Sequence, residues 1–373
     1  MKFSCEKAIL QAAVTTAGRV VAPKSTIQAL EGVLVEAESG FLHISGYNLE
    51  TGIVARVEAA VQEPGSIVLS ARLLGEILRR MPDDVVSVTA DAGCSVHIQC
   101  GPTSFDIKGT SDEEFPDLPN VGDGASLSVA QGELRAMIAQ TIFAVSDNES
   151  RPIHTGALFE AEGEQLTMVA VDGYRLALRR GKLVGRPGQG SLSFVVPGAA
   201  LNEVEKICAD SDGPASLTVG DRHVMFQIQN IMLVARRLEG EFLNYRNTIP
   251  KNNAIVLEVE AADLQRSIDR ASLIINEKLK SPLRCKFEDG TLAITSRTAI
   301  GSAFDRCPIT GDGKGLEIGF NNRFLLEAVK AAPASRVRLE LNTSTSPCLL
   351  LPIEGAEDNF LYMVLPVRLR AEG

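Results

Sequence analysis

Ala170-Val-Asp-Gly-Tyr-Arg-Leu-Ala-Leu-Arg-Arg180 (AVDGYRLALRR) is the stretch on which the reading of this chain turns. It reads as a strand, a tight turn at Asp172-Gly173, and a second strand in which Leu176 and Leu178 alternate with polar or small neighbours. An Asp-Gly pair between alternating apolar residues signals a hairpin, because a type I′ turn needs positive φ and glycine accepts it freely. A hairpin alone accounts for Asp172 and Gly173. It does not account for Tyr174-Arg175, a bulky ring and a permanent cation placed just after the turn.

Outward from this hairpin the chain repeats itself three times. FSCEKAILQAAVTTAGRVV, LSVAQGELRAMIAQTIFAV and LEVEAADLQRSIDRASLII each lead a short strand into an amphipathic helix. GVLVEAESGFLHISGYN, GALFEAEGEQLTMVAVDG and LRCKFEDGTLAITSR each read as strand, turn and strand, with turn glycines Gly40, Gly163 and Gly290 at matching places. A second helix follows as SARLLGEILRRM, PGAALNEVEKIC and NNRFLLEAVKAA, with Leu74, Leu201 and Leu325 in register. The copies close with Phe115, Phe242 and Phe360, each after an acidic stretch. A period of roughly 125 residues is too long for a solenoid, so each copy is a domain. The expected boundaries are 1–122, 123–251 and 252–373, with short linkers at 119–122 and 250–253.

Composition agrees with a multidomain globular chain of 373 residues, 45% hydrophobic and 23% charged. The start, MKFSCEKAILQAA, lacks a basic flank followed by an apolar run, and nowhere do eighteen apolar residues stand together, so a soluble, unexported, cytoplasmic protein with no membrane partner is expected. Seven scattered cysteines without a C-x-x-C pair suit reduced, buried thiols, and four widely spaced histidines give a metal centre little support. No Walker A, G-x-S-x-G or H-E-x-x-H run is present. Neither catalysis nor a cofactor is expected.

A net charge of −10 argues at first against nucleic acid, but the distribution of cations decides. In the helix after Ser70, a plausible N-cap, Leu73, Leu74, Ile77, Leu78 and Met81 form the expected buried stripe, and Pro82 marks the stop. Arg72, Arg79 and Arg80 then fall on the outer side. Leu264, Ile268 and Ala271 face the core of the third copy while Arg266 and Arg270 share its outer face, and the second copy offers Arg135. Acids gather instead in the hairpin turns, at Glu36, Glu38, Glu160, Glu162, Glu164, Glu288 and Asp289. A helical layer facing DNA would need that segregation. A merely solvated helix face is the plainer alternative.

The threefold layout, the D-G-Y-R-L run and the ending L-P-V-R-L together resemble the bacterial DNA polymerase III beta subunits, the sliding clamps, over nearly the whole chain. The resemblance implies an α+β fold of three tandem similar domains, each with two helices and two small antiparallel sheets, and a head-to-tail dimer ring around double-stranded DNA. It implies an accessory subunit, with ring opening left to an ATP-dependent clamp loader. Of the cations, it supports Lys24 and Arg151 best as DNA contacts, beside Arg72, Arg79, Arg80, Arg135, Arg266 and Arg270. For the dimer interface it implies Phe105 and Ile107 on the first domain and Leu273 and Ile274 on the third, residues for which ordinary core is the alternative.

The resemblance further implies a pocket for a clamp-binding peptide of DNA polymerase III alpha and other polymerases. Its lining would be His154, Val171, Gly173, Tyr174, Arg175 and Leu176, then Leu243, Asn247 and Thr248, then Met363, Leu365, Pro366, Val367, Arg368 and Leu369. A groove of Leu, Met, Val and Pro ringed by Arg suits an extended peptide with apolar anchors. Relatives often carry Thr at Val171, an apolar residue at His154 and Pro at Leu243, and usually end near Leu369, whereas Arg370 to Gly373 follow here. Two alternatives stand beside this reading: a repeat-built adaptor that never binds DNA, and a specialised second clamp.

Overall fold

A computed structural model describes residues 1–122, 124–185, 190–276, 281–353 and 359–369. Each of its six helices follows directly on a strand. Helices α1 (Lys7–Gly18), α2 (Ala71–Arg80), α3 (Gln131–Ala139), α4 (Gly198–Ile207) and α5 (Ala261–Ser272) begin one residue after a strand ends, and α6 (Asn322–Ala331) begins after Asn321. Side chains cap the starts of α2 and α6: Ser70 Oγ accepts from Leu73 N–H at 3.4 Å, and Asn321 Oδ1 accepts from Arg323 and Phe324 N–H at 3.0 and 3.4 Å. The turn glycines Gly40, Gly163 and Gly290 have φ of 84°, 57° and 65°, a region other residues enter at a cost.

One residue of the expected stripe on α2 is misplaced. Leu74, Ile77, Leu78 and Met81 are buried, but Leu73 is 45% exposed. Spacing explains it: 74, 77, 78 and 81 follow i, i+3, i+4, i+7, whereas Leu73 lies three and seven residues from Glu76 and Arg80, on the polar side.

The described chain divides into two compact units. The first comprises Met1–Arg135, Leu183–Gly188 and Asn202–Arg237. It holds an antiparallel sheet in the order Ala60–Glu63, Lys2–Glu6, Val85–Ala90, Ser95–Cys100, Thr103–Lys108. A second sheet runs Gly65–Ser70, Gly32–Glu38, Phe41–Tyr47, Thr51–Glu58, Ile231–Arg236, His223–Ile228, Pro214–Val219, Ala125–Ala130. Leu10, Val14, Ile77 and Leu78 from α1 and α2 pack with Val33, Leu42, Val88 and Ile98 into one core. Strict alternation supplies the strand side of it, since Val86, Val88 and Ala90 are buried and their neighbours exposed.

The second unit comprises Ala136–Lys182, Gln189–Leu201 and Leu238–Gly373. Its main sheet repeats the eight-strand plan: Leu192–Pro197, Gly156–Glu162, Gln165–Val171, then the strand beginning at Arg175, then Phe360–Val364, Cys348–Pro352, Arg336–Leu341 and Ile255–Glu260. A long hairpin of Leu283–Thr298 with Gly301–Phe320 completes the unit. On α5, Leu264, Ile268 and Ala271 are buried, as their spacing requires. Six of the seven cysteines are buried free thiols and Cys94 is half-buried.

Candidate docking groove and nucleic-acid surface

The hairpin at Asp172 is built by its own side chain. Asp172 Oδ1 accepts from the backbone N–H of Tyr174 and Arg175 at 2.8 and 3.0 Å, and Asp172 N–H donates to Arg175 O at 3.3 Å. Gly173 has φ of 90°, and neither Asp172 nor Tyr174 is positive, so this is not the expected type I′ turn, which needs two successive positive φ values. The Asx bonds take over the closure that a second left-handed residue would have given.

Arg175 also departs from expectation. In place of standing at the groove's rim, it is 5% exposed. Its Nε donates to Asp172 Oδ2 at 2.9 Å and its Nη1 to Glu327, while its guanidinium lies over the rings of Phe324 and Phe143 at 4.5 and 5.4 Å. Two carboxylates and two ring faces offset the cost of removing the cation from water. Tyr174 is 63% exposed and stacks on Phe324 at 5.9 Å.

Beneath the hairpin the apolar residues converge. Val171, Leu176 and Met363 share a buried cluster with Leu158, Val169, Tyr245 and Leu349, flanked by half-buried Ile153, Phe242 and Ile249. Strand register brings Leu176 opposite Met363 and Arg175 opposite Val364. The chain then continues along the hairpin: Leu365 N–H donates to Tyr174 O at 2.9 Å and Val367 N–H to Gly319 O at 2.7 Å. A Cβ on Gly319 would lie 2.5 Å from Val367 O and 2.6 Å from Leu369, so glycine is needed for this close approach. Pro366 and Leu369 are half-buried, Val367 and Arg368 exposed. Arg370 to Gly373 lie outside the described residues.

The remaining expected groove residues flank this cluster. His154 meets the Phe242 ring edge-on at 5.6 Å. Burial holds its imidazole below the usual histidine value, Arg151 pushes the same way, and Asp172 opposes both. Leu243, 42% exposed, precedes a single 3-10 turn, Tyr245–Asn247, followed by Thr248, whose Oγ1 donates to Tyr245 O at 2.7 Å. Glu160 pins that turn, accepting from Tyr245 Oη at 2.6 Å and from Arg246 at 3.1 and 2.7 Å. Burial, then the bond to Glu160, raises the Tyr245 hydroxyl. Sequence reasoning missed Tyr245, Arg246 and Glu160. An aromatic inside the polar run Asn244 to Asn247 was the available signal.

The expected cations are exposed at Lys24, Arg72, Arg79, Arg80, Arg135, Arg151, Arg266 and Arg270. Arg72, Arg79 and Arg80 line one concave surface of the first unit, together with Arg19 and Lys108, which the sequence did not single out. Arg79 and Arg80 both reach Glu76, the latter at 2.9 Å; Arg266 pairs with Asp263, and Arg270 Nη2 meets Asp305 at 3.1 Å. Exposed pairs of this kind hold their partners weakly.

Two of the sheet edges among the described residues carry exposed aromatic side chains. Thr103–Lys108 pairs only with Ser95–Cys100 among the described residues, and it shows Phe105 at 37% exposure with Ile107 half-buried. Gly301–Arg306 pairs only within its own hairpin among the described residues. Ile300 precedes it and Phe304 lies on it, 79% and 61% exposed, and sequence reasoning passed over both. Leu273 is 83% exposed and Ile274 half-buried, so Leu273 is not core.

Three family descriptions match the chain in order: DNA polymerase III beta subunit, N-terminal domain over 1–119, central domain over 128–244 and C-terminal domain over 246–368. A crystal structure of such a beta subunit from Eubacterium rectale ATCC 33656 is 30% identical, covers 99% of this chain and 100% of its own, and superposes with a TM-score of 0.92. The chain belongs to the DNA polymerase III beta subunit family. The Beta sliding clamp of Bacillus subtilis (strain 168) is 28% identical over 381 residues, with 99% of this chain and 100% of the relative covered. A crystal structure of a sliding clamp from Pseudomonas aeruginosa bound to griselimycin is 26% identical, with a TM-score of 0.93 and coverage of 99% and 100%. Sliding clamps are non-catalytic processivity subunits of DNA polymerase. The three tandem domains of this beta subunit, with mixed helices and antiparallel sheets, are those of the clamp fold.

Proposed function

We propose that two copies of this clamp close head to tail around duplex DNA in the cytoplasm, and that each offers the groove beside Asp172–Arg175 to the apolar peptide of a polymerase. The domain boundaries proposed are 1–122, 123–251 and 252–373. The observation that carries the ring is the matched pair of open edges. In the first unit Thr51–Ala55 bonds to Ile231–Ala235, and in the second Arg175–Arg179 bonds to Phe360–Val364. The third copy's corresponding strand, beginning at Gly301, and the first copy's edge, Thr103–Lys108, lack such a partner among the described residues. Exposed edges with apolar side chains are a liability until paired. Pairing one with the other between two copies closes a cyclic, heterologous interface. Phe105, Ile107, Leu273 and Ile274 then lie in the contact.

Inside such a ring, Lys24, Arg72, Arg79, Arg80, Arg135, Arg151, Arg266 and Arg270 attract phosphates without reading bases, which lets the ring slide. An ATP-dependent loader opens it. For docking, the apolar cluster under Val171, Leu176 and Met363 and the exposed Tyr174, Leu243 and Val367 support a peptide with apolar anchors. Loading onto nicked circular and onto linear DNA tests the ring: retention on the circle and loss from the linear form are expected, and equal loss from both would reject it.

A further inference from the structure

The turn carrying Tyr174 and Arg175 has a counterpart in the first unit that shows what the turn needs. There Asn48 Oδ1 accepts from the N–H of Glu50 and Thr51 at 3.0 and 2.7 Å, and Asn48 N–H donates to Thr51 O at 3.2 Å. The residue between, Leu49, has φ of 73°, against 90° at Gly173. Arg236 N–H donates to Glu50 O at 2.8 Å, as Leu365 N–H does to Tyr174 O. Thr51 stands where Arg175 stands. The hairpin and its junction with a following strand therefore form without a cation or a buried ion pair, and Arg175 answers some other need.

Its contacts say which. Glu327 and Phe324 stand one turn apart on α6, on the same side of the helix. Glu327 accepts from Arg175 with one carboxylate oxygen and from Arg323 Nε at 2.9 Å with the other. Phe324 receives the Arg175 guanidinium at 4.5 Å and the Tyr174 ring at 5.9 Å. Burial works to raise the Glu327 carboxyl, but the guanidiniums of Arg175 and Arg323 outweigh it and hold it below the usual range. Glu327 is therefore a carboxylate at neutral pH.

We propose that Glu327 is a positioning residue for the docking groove: through Arg175 it fixes the Asp172–Arg175 turn against α6. The exposed Tyr174 ring is thereby held in place before a peptide arrives. The peptide then binds without first ordering the turn, which is where preorganisation adds affinity. This inference rests on the docking function proposed above.

The chain contains no tryptophan, so Tyr174→Trp gives a protein with one indole on this turn. Fluorescence anisotropy of that indole, without peptide, is compared with and without Glu327→Gln. Peptide affinity is measured separately in the protein with Tyr174 intact, using a synthetic polymerase-derived peptide with apolar anchors. Glu327→Gln is expected to lower the anisotropy and to weaken binding by roughly tenfold, since it leaves a buried guanidinium short of a charge partner. Arg323→Gln, which removes the more exposed partner of Glu327, is expected to change neither, with circular dichroism of all variants unaltered. Unchanged anisotropy with Glu327→Gln, or an equal effect from Arg323→Gln, would overturn the assignment. If the unsubstituted protein fails to bind the peptide, the docking reading falls, and the anisotropy still decides whether Glu327 fixes the turn.

Discussion

At Leu49 a leucine side chain sits in a left-handed backbone conformation with φ of 73° and is 47% exposed. Such a conformation costs an L-residue with a bulky side chain about 1–2 kcal/mol, and asparagine pays less of it. Leu49→Asn is expected to raise stability by about 0.5–1 kcal/mol, read as a higher urea midpoint at unchanged slope. His154 gives a pH dependence. Its folded value is depressed, chiefly by burial, so the unfolded chain, titrating near 6.5, takes up the proton first as the pH falls. The stability from the neutral ring is therefore present above about pH 6.5 and is lost below it. Denaturation midpoints at pH 7.5 and 5.5 should drop more steeply in the native protein than in His154→Gln. At this scale the sequence marked Tyr174 and Arg175 as unusual but not why. Glu327 is 152 residues from Arg175, and a charge discloses nothing of a partner so distant.

Among the elements, Gly46 marks where α1 meets its sheet. A Cβ there would lie 2.0 Å from Ala17 O, a backbone atom that cannot step aside without moving the helix. Gly46→Ala is expected to cost about 1–3 kcal/mol, checked by thermal unfolding, with Gly75→Ala, whose Cβ would meet nothing within 4 Å, as the control. The helices were legible because an apolar stripe and a capping side chain are local signals, and the three hairpins because their turn glycines recur. Leu73 departs because phase decides along with apolarity: one step back from Leu74 turns a side chain about 100° around the helix, to the border of the stripe, where it meets water. Strand order was not legible. Nothing local in Phe360–Val364 says that it lies against Arg175–Arg179, since pairing over such separations is fixed by the packed whole.

For the whole molecule, the exposed Leu273 at 83% is the sharpest handle on assembly. Leu273→Asp combined with Ile274→Asp is expected to give folded single chains by sedimentation velocity, because two desolvated carboxylates would have to enter the contact. A variant still sedimenting as a dimer would remove that interface. Reversal of Arg79 and Arg80 to Glu should shorten retention on closed circular DNA and flatten its salt dependence, as fewer counterions are then released per ring. Total charge concealed this surface: a chain at −10 keeps Arg19, Arg72, Arg79, Arg80 and Lys108 around one hollow.

The hydrogen-bonded ladder between Arg175–Arg179 and Phe360–Val364 also splints the polypeptide across the segment that connects them. A protease nick, or two separately translated fragments meeting near Lys251, would leave that seam whole. The severed halves should copurify and behave as one body until denaturant melts the ladder.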